Sequence, residues 1–184
     1  MIGDGGATGN AGAAGERRGR HVVSSGAVLR GAGLPTAAYR PAGQEPDLTI
    51  GAGGTEVSYL ATGATTAGLF GLYRWDMGPR PSGPSAHYHR TMAESFYVLS
   101  GTVRLFDGGS WIEARPGDFL HVPPGGVHAF RNESGEPASM LLHFAPGAPR
   151  EAYFEELAEI AVSGRTLTAE EWTELYRRHD QYMV

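Results

Sequence analysis

The chain has 184 residues, a formal net charge of −5, 28 Gly and no Cys, and all 15 of its basic residues are Arg. Without Cys there is no disulfide framework, thiolate metal site, iron–sulfur cluster or cysteine nucleophile, and without Lys there is no Schiff base and no P-loop lysine. The acidic balance and the lack of basic runs argue against nucleic acid as the main partner, and no window nears about 18 consecutive apolar residues, so no transmembrane helix is expected.

In chain order, residues 1–20 are Gly, Ala and charge, too polar to offset the entropy of ordering, and are expected to be a disordered tail. They carry no apolar signal-peptide core, so a cytoplasmic protein is expected. Residues 21–55 mix short apolar pieces with Gly and Pro and read as an extended arm with little core of its own. It is expected to pack on or pair with a second subunit, giving a homodimer. Residues 56–147 contain a series of short strands: 56–62, 68–77, 94–99, 102–106, 110–114, 118–122, 127–131 and 138–145. Asp107-Gly108-Gly109 marks a hairpin turn. Short strands without intervening helices indicate an all-β antiparallel sandwich or barrel. Residues 148–184 change period. Tyr153, Leu157, Ile160 and Ala161 fall at helical spacing before Gly164, and Thr168 to Glu171 form a capping box ahead of Trp172, Leu175, Tyr176 and His179. Two C-terminal amphipathic helices are expected, packed on the outside of the barrel or shielding one of its ends.

The chemistry concentrates between His87 and Asn132. In a strand, residues two apart share a face, so His87 and His89 can converge while Tyr88 points away. Glu94 opens the next strand, and a short turn can return its carboxylate to the same point. His128 follows the tight turn Pro123-Pro124-Gly125-Gly126 and can add a third imidazole. Three neutral imidazoles and one carboxylate suit a divalent first-row metal with coordination positions left open.

These residues carry a resemblance. His87-x-His89-x4-Glu94-x6-Gly101 resembles the first motif of the cupin superfamily. Gly117-x5-Pro123-x-Gly125-x2-His128-x3-Asn132 resembles the second. Pro81 stands where the first motif usually opens with glycine, the nearest glycines being Gly78 and Gly83, so the entering turn departs from the pattern. The short spacing between motifs is similar to that of bacterial single-domain cupins. The resemblance implies a double-stranded β-helix, the jelly-roll barrel, over roughly residues 56–145, with metal held by His87, His89, Glu94 and His128.

Around this centre, strand parity marks Phe96 and Val98 (on the face of Glu94), Phe130 (on that of His128), and Tyr73 and Trp75 as candidate walls of a substrate pocket. Simple core packing is the bland alternative for each. His121 and His143 are candidates to line the barrel or support the metal ligands, and His143 is included in the expected substrate-binding set. His21 and His179 look peripheral. Asn132 is expected to fix a backbone turn.

An apolar barrel with no evident Arg cluster near the ligands favours an aromatic or otherwise hydrophobic small molecule. Within the family, the arrangement is similar to quercetinase-type dioxygenases of actinobacteria, and the Gly/Ala/Arg-rich composition suggests a GC-rich genome. That resemblance implies an oxygen-using oxidoreductase acting on a small aromatic or enolic, flavonol-like metabolite. Glu94 would then be both a metal ligand and the catalytic base for a substrate hydroxyl. Burial in an apolar cavity would raise its proton affinity, with the metal charge opposing. Iron is the first expectation for the metal, and the ligand set also permits Ni, Mn, Co, Zn or Cu. Two alternatives stay open, because this fold hosts many activities: a redox-neutral isomerase, cyclase or decarboxylase using the metal as a Lewis acid, and a non-catalytic binding module.

Overall fold

The computed structural model describes residues 36–51 and 54–184. The expected tail, the arm up to residue 35 and His21 therefore lie outside the described residues. Strand periodicity builds the larger part of the fold. β1 (Leu48–Ile50), β2 (Thr55–Ala61), β3 (Gly71–Met77), β4 (His87–Tyr88), β5 (Ala93–Ser100), β6 (Val103–Phe106), β7 (Trp111–Ala114), β8 (Phe119–Val122), β9 (Ala129–Arg131) and β10 (Ala138–Ala145) precede α1 (Arg150–Ser163), α2 (Ala169–Arg178) and the terminal β11 (Tyr182–Met183). These strands pair antiparallel throughout. One sheet runs β1-β2-β3-β10-β5-β8, a second runs β7-β6-β9, and β11 pairs with β4. Isolated bridges from Ser82 to Asn132 and from His87 to His128 join the β4 region to the second sheet. The two sheets form the expected all-β jelly roll.

Alternation decides what faces inward. On β3, Gly71, Tyr73, Trp75 and Met77 are buried, and on β10 the inward set is Met140, Leu142 and Phe144. Leu69 shares the parity of the β3 set, yet it is exposed. Ala67 and Gly68 take positive φ (53° and 79°) and turn the chain before the strand begins. Part of the expected arm is accounted for within this chain, since Leu48–Ile50 pair with Thr55–Val57 of β2.

α1 is uncapped by side chain at Pro149 and ends at Gly164, φ 68°. Its buried stripe is Arg150, Tyr153, Phe154 and Ala158. This lies nearer the N-terminal half than the expected one, and Ala161 is exposed. The Phe154 ring meets Trp75 (5.1 Å) and Tyr73 (5.3 Å) edge-on, so α1 lies over the barrel's open end. α2 carries the expected capping box, with Thr168 accepting from the Glu171 N–H and Glu171 accepting from the Thr168 N–H. Among the described residues no helix is long and apolar enough to cross a membrane.

The departure at Pro81 resolves locally. Gly83 has φ 135°, and a Cβ there would run into the Phe130 carbonyl. Here the glycine that lets the entering segment approach β9 is Gly83. Because that backbone region is essentially reserved for glycine, Gly83→Ala should lower folding stability by about 1–3 kcal/mol. Urea denaturation reads the change directly, and an unaltered midpoint would contradict this reading of the turn.

Candidate metal centre

His87 and His128 are neighbours by backbone pairing. Each donates its N–H to the other's carbonyl (2.9 and 2.8 Å), and their rings lie 4.4 Å apart. Both side chains therefore leave the same face of one antiparallel pair. The 90–92 turn reverses the chain so that Glu94, on β5, comes back beneath them. Gly125, φ 84°, donates its N–H to the His89 carbonyl (2.6 Å), which ties the His128 turn to the His89 segment. One donor atom from each of His87, His89, Glu94 and His128 lies within 4.8 Å of every other, and all four residues are buried.

The outer nitrogens decide what the inner ones can do. Nδ1 of His87 meets the Ser85 carbonyl (2.8 Å), that of His89 the Asp180 carbonyl (2.6 Å), and that of His128 the Gly126 carbonyl (3.0 Å). A carbonyl only accepts, so each Nδ1 must carry the proton, and a neutral ring then presents a lone pair at Nε2. Yet Nε2 of His89 and of His128 stand 3.0 and 2.8 Å from Glu94 Oε2. Lone pair facing carboxylate is repulsive unless an additional proton or a metal cation sits between them. Three neutral nitrogens, each ring held from behind, and a carboxylate oxygen fit a divalent cation.

Protonation follows the same geometry. Burial pushes the His87 imidazole down to about 3, with Glu94 opposing, so it is neutral at ordinary pH. Burial also works against protonating His128, but the Glu94 hydrogen bond and charge outweigh it and raise the pKa. For Glu94, burial alone would raise the pKa. The hydrogen bonds from His128 and His89 win and hold it below the usual carboxylate range. The raised proton affinity expected for Glu94 is thus corrected: its surroundings favour the carboxylate.

A cavity of about 390 Å³ opens onto this cluster, reaching His87 and Glu94 and walled by Trp75, Phe130, Leu142, Phe144 and, from α1, Tyr153 and Phe154. Of the expected pocket residues, Trp75 and Phe130 line it. Tyr73, Phe96 and Val98 are fully buried core behind it, and the Tyr73 hydroxyl donates to Glu151 (2.6 Å). His143 is misplaced by the expectation. It pairs with Leu72 and Ser95 on the outer face of the sheet, its ring 5.7 Å from that of Phe70 in a tilted arrangement, while its neighbours Leu142 and Phe144 point inward. His121 shares that outer face, hydrogen-bonded to Ser95 Oγ (2.9 Å). The uninterrupted apolar set Met140, Leu142 and Phe144 is the signal in the chain for the true inward parity of β10.

Three participants escape sequence reasoning. Arg150 is the first: no Arg cluster is expected near the ligands, and this single arginine is buried and lines the cavity. Other arginines lie elsewhere: Arg74 pairs with Asp76, Arg104 with Glu133, and Arg90 stacks on Tyr182. The sequence signal for Arg150 is a cation in the first turn of a helix, where the dipole disfavours it. Asp180 is the second. Its carboxylate accepts from the Arg90 N–H, the Thr91 N–H and the Thr91 hydroxyl, and its carbonyl accepts from His89. Gln181, which holds Arg150, is the third.

Comparison with known proteins agrees with the geometry. Residues 73–144 match the Cupin domain family. Over 57 residues the chain is 42% identical to quercetin 2,3-dioxygenase of Bacillus subtilis, a stretch that is 31% of this chain and 17% of that enzyme. The chain thus spans much less than two thirds of that relative. An RMLC-like cupin from Shewanella frigidimarina superposes with TM-score 0.50 at 17% identity, covering 60% of this chain and 92% of that one. A cupin-superfamily sugar phosphate isomerase from Silicibacter pomeroyi gives TM-score 0.42 at 28% identity, over 48% and 59% of the two chains. The fold of the barrel is that of the cupins, and the family match lies within it.

The Asp180 latch has a pH signature. Burial would raise its pKa, but the hydrogen bonds from Thr91 and Arg90 outweigh it and hold the carboxyl below its ordinary range. A depressed carboxylate adds stability that is complete above its unfolded pKa and is lost as pH falls through the folded one. Asp180→Asn, which still tolerates the positive φ of 53°, should therefore be less stable than wild type at pH 7 and converge with it as pH falls through the depressed pKa of the folded state. Thermal melts across pH 2–8 test this (an equal deficit at every pH would refute the charge-based latch).

Proposed function

We propose that this cupin is a metal-dependent enzyme, an oxygen-using dioxygenase acting on a small aromatic or enolic compound of flavonol-like chemistry. The observation that carries the reading is a buried carboxylate among three imidazoles, each ring backed by a hydrogen bond to a backbone carbonyl, at the floor of an aromatic-walled cavity. The partial likeness to a quercetin 2,3-dioxygenase supports the reaction class.

His87, His89, Glu94 and His128 would hold the metal, with iron the first choice and Ni, Mn, Co, Zn or Cu also suited to the donors. A divalent metal there would supply a Lewis acid for a substrate's enol or phenol oxygen, and a redox-active one such as iron would also supply a partner for dioxygen. The chain's own groups do the rest. Trp75, Phe130 and Phe144 clamp a planar ring by edge and face contacts and exclude water. Glu94 stays ionised, and its Oε1, which neither imidazole contacts, takes the proton of a substrate hydroxyl. A weak base suffices for a hydroxyl acidified at a cation. His87 is kept neutral by burial, so its ring offers a lone pair.

The experiment is elemental analysis of untagged protein followed by oxygen-electrode assays with flavonols. Near-stoichiometric metal is expected, and His87→Ala with His128→Ala should lose nearly all of it. Full retention of metal in the double variant would sink the site, and turnover unchanged under nitrogen would replace the dioxygenase with redox-neutral Lewis-acid chemistry.

We also propose a homodimer in the cytoplasm. The outer face of β5 and β8 exposes Tyr97 (43%) and Phe119 (64%) beside partly exposed Leu141, an apolar surface suited to a second copy. Light scattering should give the mass of two chains, and the mass of one would contradict it.

A further inference from the structure

The cavity holds a cation that metal binding leaves without a task. Arg150 opens α1, is 4% exposed, and lines the same cavity as His87 and Glu94. Its Nη1 donates to the His179 carbonyl (2.8 Å) and its Nη2 to Gln181 Oε1 (3.2 Å). Both acceptors are neutral. Nε, shielded from water, has no hydrogen-bond partner among the described residues. Around the guanidinium stand the rings of Tyr153 (4.3 Å), Phe144 (5.2 Å) and Phe154 (5.5 Å). The Phe144 ring is also 6.2 Å from that of His89, so one aromatic wall is shared by the guanidinium and the ligand cluster.

This is an unfavourable place for an arginine by three measures. It is desolvated without a hydrogen-bonded carboxylate. It occupies a helix N-terminus, where the dipole repels a cation. It leaves a buried N–H unmade, although the guanidinium stays charged in any protein environment. Stacking and two neutral acceptors offset part of this cost. A planar anion brought to the guanidinium from the cavity would answer the first two, because the guanidinium fork matches a carboxylate edge to edge. A single guanidinium among aromatic rings suits a monoanionic carboxylate better than a phosphate dianion.

We propose that Arg150 is the carboxylate-binding residue of this cavity, so that the substrate is a small aromatic or enolic acid whose carboxylate sits on Arg150 while its hydroxyl oxygen faces His87, His89, Glu94 and His128. The second half of that statement rests on the proposed function; the carboxylate contact does not.

The probe pair is 2-hydroxybenzoate and 2-hydroxybenzamide, which share ring and hydroxyl and differ in charge. Calorimetric titration of the full chain, stripped of metal and then loaded with a divalent metal, should show the acid binding at least about tenfold tighter than the amide in both states. Arg150→Met should bring the two within about twofold, and Arg150→Lys should keep part of the preference, with metal content unchanged in each. An arginine that only staples α1 to the C-terminal segment would leave acid and amide equal. Equal binding in wild type, binding of neither, or a preference that survives Arg150→Met overturns the proposal. The wild-type comparison decides even where a variant misfolds. An acid preference without any metal uptake would fail the metal reading alone, and metal uptake without the preference would fail this one alone.

Discussion

Three hydrogen bonds from imidazole Nδ1 to backbone carbonyls set the character of this molecule's interior. Each consumes the single proton of a neutral ring and turns a lone pair inward toward Glu94. The carbonyls belong to Ser85, Gly126 and Asp180, two from turns flanking the histidines and one from the far end of the chain. A buried carboxylate surrounded by inward lone pairs is stable only with an additional positive charge, and the backbone geometry makes the demand permanent. Glycine-dependent turns, the reciprocal His87–His128 pairing and the reversal at residues 90–92 serve to hold those rings in place.

The C-terminal segment belongs to the site as much as the barrel does. α1 supplies Tyr153, Phe154 and Arg150 to the cavity, β11 pairs with the strand bearing His87, and Asp180 both caps the 90–91 turn and orients His89. Loosening the segment would therefore unsettle a ligand, a wall and a cation together. Such coupling is expected to tie stability of the C-terminal helices to affinity at the centre.

Much of this is legible in the chain. Short alternating segments bounded by Gly, Pro and Asp imply antiparallel strands, and the two-residue spacing of His87 and His89 implies a common face whatever the tertiary fold. The capping box at Thr168–Glu171 and the Gly164 stop are equally local, and both stand in the structure where the residues place them. Parity is less secure where both faces of a strand are apolar. β10 carries Leu141 on one side and Leu142 on the other, so His143 can be assigned to the interior, and only packing against β3 and β5 shows it outside.

Composition removes Cys and Lys from consideration, and spacing then leaves His87, His89, Glu94 and His128 as the one evident centre. The sequence alone pointed to the four donors and to the common face of His87 and His89, because motif spacing and strand alternation are local properties. Tertiary structure decided the rest. His89 meets Asp180 across 91 positions and Arg150 meets Gln181 across 31. Whether Arg150 lies in water or in the cavity depends on which way α1 docks over the barrel. That docking is chosen by the summed burial of Tyr153 and Phe154 against Tyr73 and Trp75, a quantity no local periodicity contains.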